Sequence, residues 1–462
     1  MSIASELTAL STNITNAYNA VSSKGGTIPA NKNTANLATA INSISGGGGG
    51  SVEVVNGIIA NFKATSSTID ANTFVEFVNT ITKDTDTQLS TDSGSYQYAC
   101  AVALDTNKVF IAHSNGSYLY GMVCTISGTN ITVGTDTQLS TGSSSYEHAS
   151  AVALGTDKVF IAHRNGNYLY GVVCTISGTT ITAGTDTQLS TSTNTYQYAS
   201  AVLVDTNKVF IAHRNGNYLY GIVCSISGTT ITKGTDTKLS NTTSSYYYAS
   251  AVLVDTNKMF IAHSNGSYLY GMVCTISGTN ITANTDTQLS QVGNTSSRAS
   301  AVLMESNKVF IALGTSSYLY GVVCSISGTT ITAGTDTILG YFANSTAYVS
   351  AVLVNSNKIF VTIGPSATST LSHGVVCSIS GTTITAGADT QLSTTANTYY
   401  YGSAVLVDTN KVFIAHNSGG YLYGMICTIP ESTVQPSNEK IYGLTKTACT
   451  TSTAGEVWVL DT

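Results

Sequence analysis

The sequence predicts a mainly β protein: a seven-bladed β-propeller of four-stranded antiparallel blades, with a short α-helical N-terminal region and a small flanking β domain. Three observations carry that expectation. A repeat with a period of 50 residues runs through most of the chain. Each copy splits into four apolar, β-branched or aromatic runs separated by turn-forming residues. Nothing in the unit shows the 3.6-residue period that a helical solenoid requires.

The repeat is set by Asp86, Asp136, Asp186, Asp236, Asp286 and Asp336, each in a T-D-T segment. A seventh copy, Asp389, follows 53 residues after Asp336, so one unit carries an insertion of three residues. Phe110, Phe160, Phe210, Phe260, Phe310, Phe360 and Phe413 form the same series, as do Cys124, Cys174, Cys224, Cys274, Cys324, Cys377 and Cys427. In the unit from Ala199 to Ser240 the runs are SAVLV, KVFIAH, YLYGIVCSI and TTITKGTDTKL, here strands A to D. Radial repetition of such a meander makes a propeller blade. The segment Val78 to Ser90 matches strand D alone, and no matching D follows the last strand C. The N-terminal strand is therefore expected to complete the last blade, leaving the ring without an open edge.

Composition narrows the function. Of 462 residues only 9% are charged, and the formal net charge is −6. This argues against a nucleic-acid partner, which calls for a basic face. No apolar run approaches the roughly 18 residues of a membrane span. The opening MSIASELTALSTNITNAYNAV lacks the basic and apolar regions of a secretory signal. The strand-C cysteines lie one per blade, too far apart to bridge, and are expected to be buried small hydrophobes, as in a reducing cytosol. Cys100 stands where the other blades have Ser, and Cys449 lies outside the repeats.

The repeats differ from one another on one face. The A–B turns (DTNK, GTDK, ESNK, NSNK) and C–D turns (SGTT, SGTN) are nearly uniform. The D–A loops (TDSGSYQYA, TGSSSYEHA, QVGNTSSRA and others) and B–C loops vary. Variable loops on a rigid scaffold are where binding resides, although longer loops also drift faster. The candidate ligand-binding residues on this face are Tyr98, His148, Arg164, Asn165, Tyr198, Arg214, Asn215, Tyr248, Arg298, Tyr348 and Tyr401. Seven of them begin strand A and should ring the channel mouth. Aromatic rings stack on sugar C–H faces while amides and guanidinium groups bond the hydroxyls; packing between blades is the competing role. Blades 2 and 3, with their Arg-Asn pairs, are the favoured local site.

His113, His163, His213, His263 and His416 end strand B in separate blades, too far apart to share a metal; they are read as caps of the B–C turn. No metal and no cofactor is expected. Asp92 and Glu147 are the only acids on the variable face, short of the facing pair a glycosidase needs. The sequence is therefore read as not an enzyme.

Residues 1–45 read as a helical attachment or oligomerisation region, with Leu7, Leu10, Ile14 and Val21 on a short heptad stripe. A second helix is expected from Asn33 to Ile44. Residues 46–51 form a glycine linker. Residues 52–79 and 431–462 read as two parts of one small β domain, into which the propeller (80–430) is inserted.

These flanking segments carry a resemblance. The opening LTALSTNITNAYNAVSSKGGTIPANKNTANLATAINSI, followed by a glycine run, resembles the N-terminal region of bacteriophage tail fibre or baseplate-associated proteins of phages that infect Gram-positive bacteria. The pair STIDANTFVEFV and GLTKTACTTSTAGEVWV is similar to a small β domain of phage structural proteins, with its "ANTFV"-like turn and "AGE-V-V" strand. The propeller lacks WD and Asp-box signatures, so no functional residues are carried over from those families. The resemblance implies a virion protein assembled in the host cytoplasm. It would join other virion proteins through its N-terminus, as a homo-oligomer with a trimer favoured, and without membrane insertion. The expected function is a tail fibre or receptor-binding protein whose variable face binds a host surface glycan. The alternatives are a non-binding head or tail decoration protein and, less favoured, a glycan depolymerase.

Overall fold

Each run of the repeat becomes a strand because β-branched and aromatic residues fill both faces of a buried ribbon, and each break carries residues suited to a tight turn. The computed structural model describes residues 18, 57–64, 74–78, 81–91, 96–115, 118–140, 147–190, 196–240, 247–293, 298–305, 307–315, 317–341, 348–364, 372–393, 399–429, 433–436, 443–445 and 455–460. They fall into two units, residues 79–430 and residues 1–78 with 431–462.

The larger unit is a seven-bladed propeller. In blade 3, strands A (Tyr196–Asp205), B (Lys208–Asn215), C (Tyr218–Ser227) and D (Thr230–Lys233) pair antiparallel in that order. Strand D does not run straight through: it breaks and resumes at Thr237–Lys238, again on strand C. The break is tight. The Gly234 N–H donates to Val223 O at 2.9 Å, and a Cβ at Gly234 would lie 2.5 Å from that oxygen. In blade 4 Asn284 takes the same place and its N–H bond lengthens to 3.3 Å.

Blade 7 combines Tyr399–Asp408, Lys411–Ser418 and Tyr421–Thr428 with Thr82–Lys83 and Thr87–Gln88 from the other end of the ring. The core lies between blades. Phe210 and Val223 of blade 3 pack against Met259, Ile261, Met272 and Cys274 of blade 4, and equivalent clusters fill the other junctions. Gly221 is required beneath the phenylalanine, since a Cβ there would sit 3.0 Å from the Phe210 ring. The strand-C cysteines are buried and unbridged. Burial pushes the thiols of Cys124, Cys174, Cys224, Cys274, Cys324, Cys377 and Cys427 up to about 12.

The inner strands are linked around the ring. Ser200 Oγ accepts the N–H of Ala251 at 3.0 Å, and Ser150, Ser250, Ser300, Ser350 and Ser403 serve the next blade's Ala201, Ala301, Ala351, Ala404 and Ala101 at 2.9–3.0 Å. Cys100 holds the seventh link through sulfur, at 3.3 Å from Ala151 N. This explains why a cysteine can replace serine there: its Sγ still accepts the hydrogen bond.

The smaller unit contains a closed barrel of Gly57–Ala64, Thr433–Pro436, Phe74–Val78, Gly443–Thr445 and Gly455–Leu460 in that order. Gly57–Ala64 pairs antiparallel with Gly455–Leu460 and parallel with Thr433–Pro436. Tyr18 is helical and buried. The expected stripe of Leu7, Leu10, Ile14 and Val21, the helix from Asn33 to Ile44, the glycine linker, Asp92 and Cys449 lie outside the described residues.

Candidate functional site: a tyrosine–arginine cluster at the inner rim

Each strand A touches the A strands of both neighbouring blades, so residues at equal height on successive inner strands are brought together. How they are aimed depends on register. In blade 3, Gln197 pairs with Arg214 and the next pair is Ser200 with Ala212. Tyr198 and Ala199 therefore oppose His213 alone, which makes a β-bulge. Blades 1, 2, 4 and 7 shift register at the same point. Blades 5 and 6 do not: Arg298 pairs with Gly314 and Tyr348 with Gly364, and from there the ladders run without a shift as far as Leu303 and Leu353. The difference follows strand B. The bulged blades place a histidine opposite the bulge, whereas blades 5 and 6 have Leu313 and Ile363, each followed by glycine.

The bulge holds Tyr198 and Tyr248 at φ of 57° and 54°, the left-handed region that a tyrosine enters only at a cost of about 1–3 kcal/mol. Their rings meet at a centroid distance of 4.1 Å. The guanidinium carbon of Arg298 lies 4.4 Å from the Tyr248 ring centre and 2.8 Å from that of Tyr348. Four consecutive blades thus contribute one row: Tyr198, Tyr248, Arg298, Tyr348. All four side chains are half-buried. Burial pushes the Tyr198 hydroxyl up, and Tyr248 adds to this, while Arg298 and Arg214 oppose it.

The other candidate residues lie elsewhere. Arg164 and Arg214 each donate Nε to the carbonyl of their own B–C turn, Gly166 O and Gly216 O, at 2.6 Å. Arg214 Nη1 also reaches Gln197 Oε1 at 3.1 Å. Asn165 ends its strand half-buried. Asn215 requires a correction: it is 4% exposed, and its amide donates to the Tyr196 hydroxyl at 2.7 Å, so it holds the hairpin and is not presented on the rim. The strands that carry Tyr98, His148 and Tyr401 are in place, but those side chains lie outside the described residues.

The histidines are corrected too. They do not cap the B–C turn. His213 is fully buried, and its Nε2 lies 2.9 Å from Asp236 Oδ1, on the segment where strand D breaks. His113–Asp136, His163–Asp186, His263–Asp286 and His416–Asp86 repeat the pair at 2.9–3.0 Å, and each ring stacks near the strand-C tyrosine, as His113 does on Tyr120. Blade 6 moves its histidine to strand C, where His373 Nδ1 lies 3.1 Å from Asp389. In blade 5, Asp336 faces no histidine; its Oδ2 accepts Gln291 N–H at 3.0 Å, and its buried Oδ1 has no hydrogen-bond partner among the described residues. The signal was present in the sequence: histidine and aspartate are 23 residues apart in blades 1 to 4. Among the described residues no group of His, Cys, Asp or Glu is placed to hold a metal ion.

No family model and no curated protein matches the chain. Solved structures do resemble it. The BP39L lectin of Burkholderia pseudomallei aligns over 74% of this chain and 99% of its own, with 9% identity and a TM-score of 0.56. The WD40 domain of Toxoplasma gondii coronin aligns over 80% and 89%, with 10% identity and a TM-score of 0.50. The NanB sialidase of Streptococcus pneumoniae aligns over 78% and 71%, with 11% identity and a TM-score of 0.45. At these identities the likeness is one of fold. The expectation that the chain is not an enzyme is corrected accordingly: a likeness of fold does not decide between binding and catalysis, and gives no ground for setting catalysis aside.

Proposed function

We propose that the propeller is a carbohydrate-binding head that reads a bacterial surface glycan through its inner rim. The observation that carries this reading is the row Tyr198, Tyr248, Arg298 and Tyr348. Half-buried aromatic rings set beside a guanidinium group provide stacking surface for a pyranose and donors for its hydroxyls. Two of the four sit in strained backbone, which is retained where a side chain must be held in one direction. A lectin among the propellers of similar fold is consistent with this use of the scaffold.

We further propose that this head belongs to a phage tail fibre or baseplate-associated protein. It would join other virion proteins through residues 1–45 as a homo-oligomer and be displayed on the particle. The support is the resemblance of the segments outside the propeller to phage structural proteins. Several copies of a weak site would then act by multivalency.

The test is binding of the full chain to intact Gram-positive cells and their purified wall glycans. Saturable binding that free glycan competes away, and that weakens at least about tenfold in Tyr248→Ala, is the expected result. No binding to any cell or glycan would leave a decoration protein. Antibodies to the propeller should label and neutralise particles if the virion reading holds.

A further inference from the structure

We infer that the outer edge of blade 5 is a second carbohydrate site, which takes a neutral pyranose on an exposed corner of tyrosine rings. It goes beyond the inner-rim reading: the inner rim is built on strand A, and this site on strands C and D at the opposite edge of the sheet. In blade 5 strand C is Tyr318–Ser327, and strand D resumes as Thr337–Tyr341. In the other six blades the resumed segment has two residues. A serine ends it in five of them: Ser140 Oγ accepts the Leu119 N–H at 3.0 Å, and Ser190, Ser240, Ser393 and Ser90 serve Leu169, Leu219, Ser372 and Leu422 at 2.8–3.0 Å. Gly340 holds that place in blade 5. Without the hydroxyl, the backbone ladder takes over and runs on to Tyr341.

The extension carries a bulge that decides which side chains meet. Tyr341 pairs with Tyr318 and Gly340 with Leu319, but the next pair is Ile338 with Tyr320, so the buried Leu339 is the extra residue. Three residues apart, Ile338 and Tyr341 would point to opposite faces of a regular strand. The bulge sets both directly across from strand-C tyrosines, so Tyr318, Tyr320, Ile338 and Tyr341 share one face. Four large hydrophobic side chains are exposed among the described residues, and three of them, Tyr318, Ile338 and Tyr341, lie here.

Tyr341 meets Tyr318 edge-on, with ring centres 5.2 Å apart and planes at 70°, and Tyr318 lies 5.8 Å from Tyr320. Rings at that angle form a corner, in which one offers its flat face to the C–H side of a sugar and the other bounds it. Tyrosine hydroxyls both donate and accept, as sugar hydroxyls require. The equivalent rings of other blades are engaged from strand D. In blade 3, Lys238 Nζ lies 3.4 Å over the centre of the Tyr218 ring, the counterpart of Tyr318. In blade 2, Gln188 accepts the hydroxyl of Tyr170, the counterpart of Tyr320, at 3.3 Å. Blade 5 has Ile338 at that position, with neither a charge nor an acceptor. The paired segments YLYG and TILGY carry no charge, which suits a neutral sugar. Size favours a sugar over a protein as well. At about 200 Å² for a whole side chain, the exposed parts of Tyr318, Ile338 and Tyr341 amount to on the order of 300 Å², against about 800 Å² per partner in a stable protein contact.

The experiment titrates the full chain with the methyl glycosides of glucose, galactose, mannose and N-acetylglucosamine, followed by ligand-observed NMR. The background is Tyr248→Ala, which removes a ring of the inner rim. At least one glycoside is expected to bind this variant saturably. Adding Tyr341→Ala should weaken that binding about two- to tenfold, whereas Tyr341→Phe, which keeps the ring, should retain it. Tyr118→Ala, at the counterpart of Tyr318 in blade 1, should leave it unchanged. Tyr341 is exposed, so its replacement should preserve the fold, which thermal unfolding checks. No saturable binding to Tyr248→Ala, or binding indifferent to Tyr341→Ala, overturns the edge site; binding to the unaltered chain that vanishes in Tyr248→Ala leaves the inner rim standing alone. Binding that ignores Tyr248→Ala and falls with Tyr341→Ala upholds the edge site and overturns the inner rim. A fall in particle mass on light scattering in Tyr341→Ala, with no glycoside bound by any variant, overturns the sugar assignment in favour of a contact between copies of the chain.

Discussion

Blades 3 and 5 are built on the same four strands with the same phenylalanine between sheets, yet they finish their inner hairpins differently. Blade 3 ends strand B in a buried histidine tied to Asp236, bulges opposite it, and turns Tyr198 into the left-handed region. Blade 5 replaces that histidine with Leu313, keeps a regular ladder, and sets Arg298 at the corresponding height. It also extends its outermost strand to Thr337–Tyr341, leaving Tyr341 64% and Ile338 54% exposed. The packed middle of a blade is indifferent to these changes, and the rim is remade by them. A repeat scaffold can therefore diversify one end of a blade without cost to its core, because each blade contacts only its neighbours.

The comparison is tested first where the two blades should agree. Phe210→Ala and Phe310→Ala remove rings that are fully buried in equivalent junctions. Each should cost about 3–5 kcal/mol in denaturant unfolding. A difference between them larger than about 1 kcal/mol would show that the blades are not equivalent in their packing.

The next test is where they should part. Asp236→Ala strands the buried His213 Nε2 and removes the acceptor of the Tyr196 hydroxyl, 3.2 Å away. A loss of about 1–3 kcal/mol is expected. Asp336→Ala removes a carboxylate with no histidine partner and one enclosed oxygen. It should change stability by less than about 1 kcal/mol in either direction. Equal losses at the two aspartates would break the distinction.

The blades were legible in the sequence because Phe, Cys and Asp recur at a fixed period and each apolar run is strand-length. The rim was less so. Tyr198 and Arg298 align in sequence, but one sits in a bulge and the other in a regular ladder. Register is set by pairing with strand B, and a slip of one residue reverses the face on which a side chain lies. Asn215 follows Arg214 in a turn-rich segment and reads as exposed, whereas the hydroxyl of Tyr196, 19 residues earlier, draws it into the blade. The histidine–aspartate spacing was visible, but its meaning depended on the break in strand D, which carries the aspartate back towards strand B.

A smaller effect sharpens the rim comparison by its sign. At Tyr198, φ is 57°, so Tyr198→Gly should be more stable than Tyr198→Ala by about 1 kcal/mol, because glycine enters that region without strain. At Tyr348 the ladder is regular, and the order should reverse, with alanine ahead by about 0.5–1 kcal/mol. Both pairs lose the same ring, so the difference within a pair isolates the backbone. The same order at both positions would mean that the bulge is not what holds Tyr198.

The smallest expected effect is in the titration of Tyr198. Burial, with Tyr248 beside it, pushes its hydroxyl above the usual tyrosine range against the pull of Arg298 and Arg214. In this window the folded chain keeps a proton that the unfolded chain releases, so stability falls as pH rises. The contribution is whole below a pH of about 10, where an unfolded tyrosine begins to ionise, and is lost as pH climbs towards the folded value. Tyr198→Phe removes the ionisable group while keeping the ring. The variant should lack one late-ionising tyrosine in the ultraviolet titration, and its stability should decline less steeply between pH 10 and 11. Removing the opposing cation with Arg298→Gln should delay ionisation of Tyr198 further. An unchanged titration in Arg298→Gln would mean that the guanidinium is too well screened to act on its neighbours.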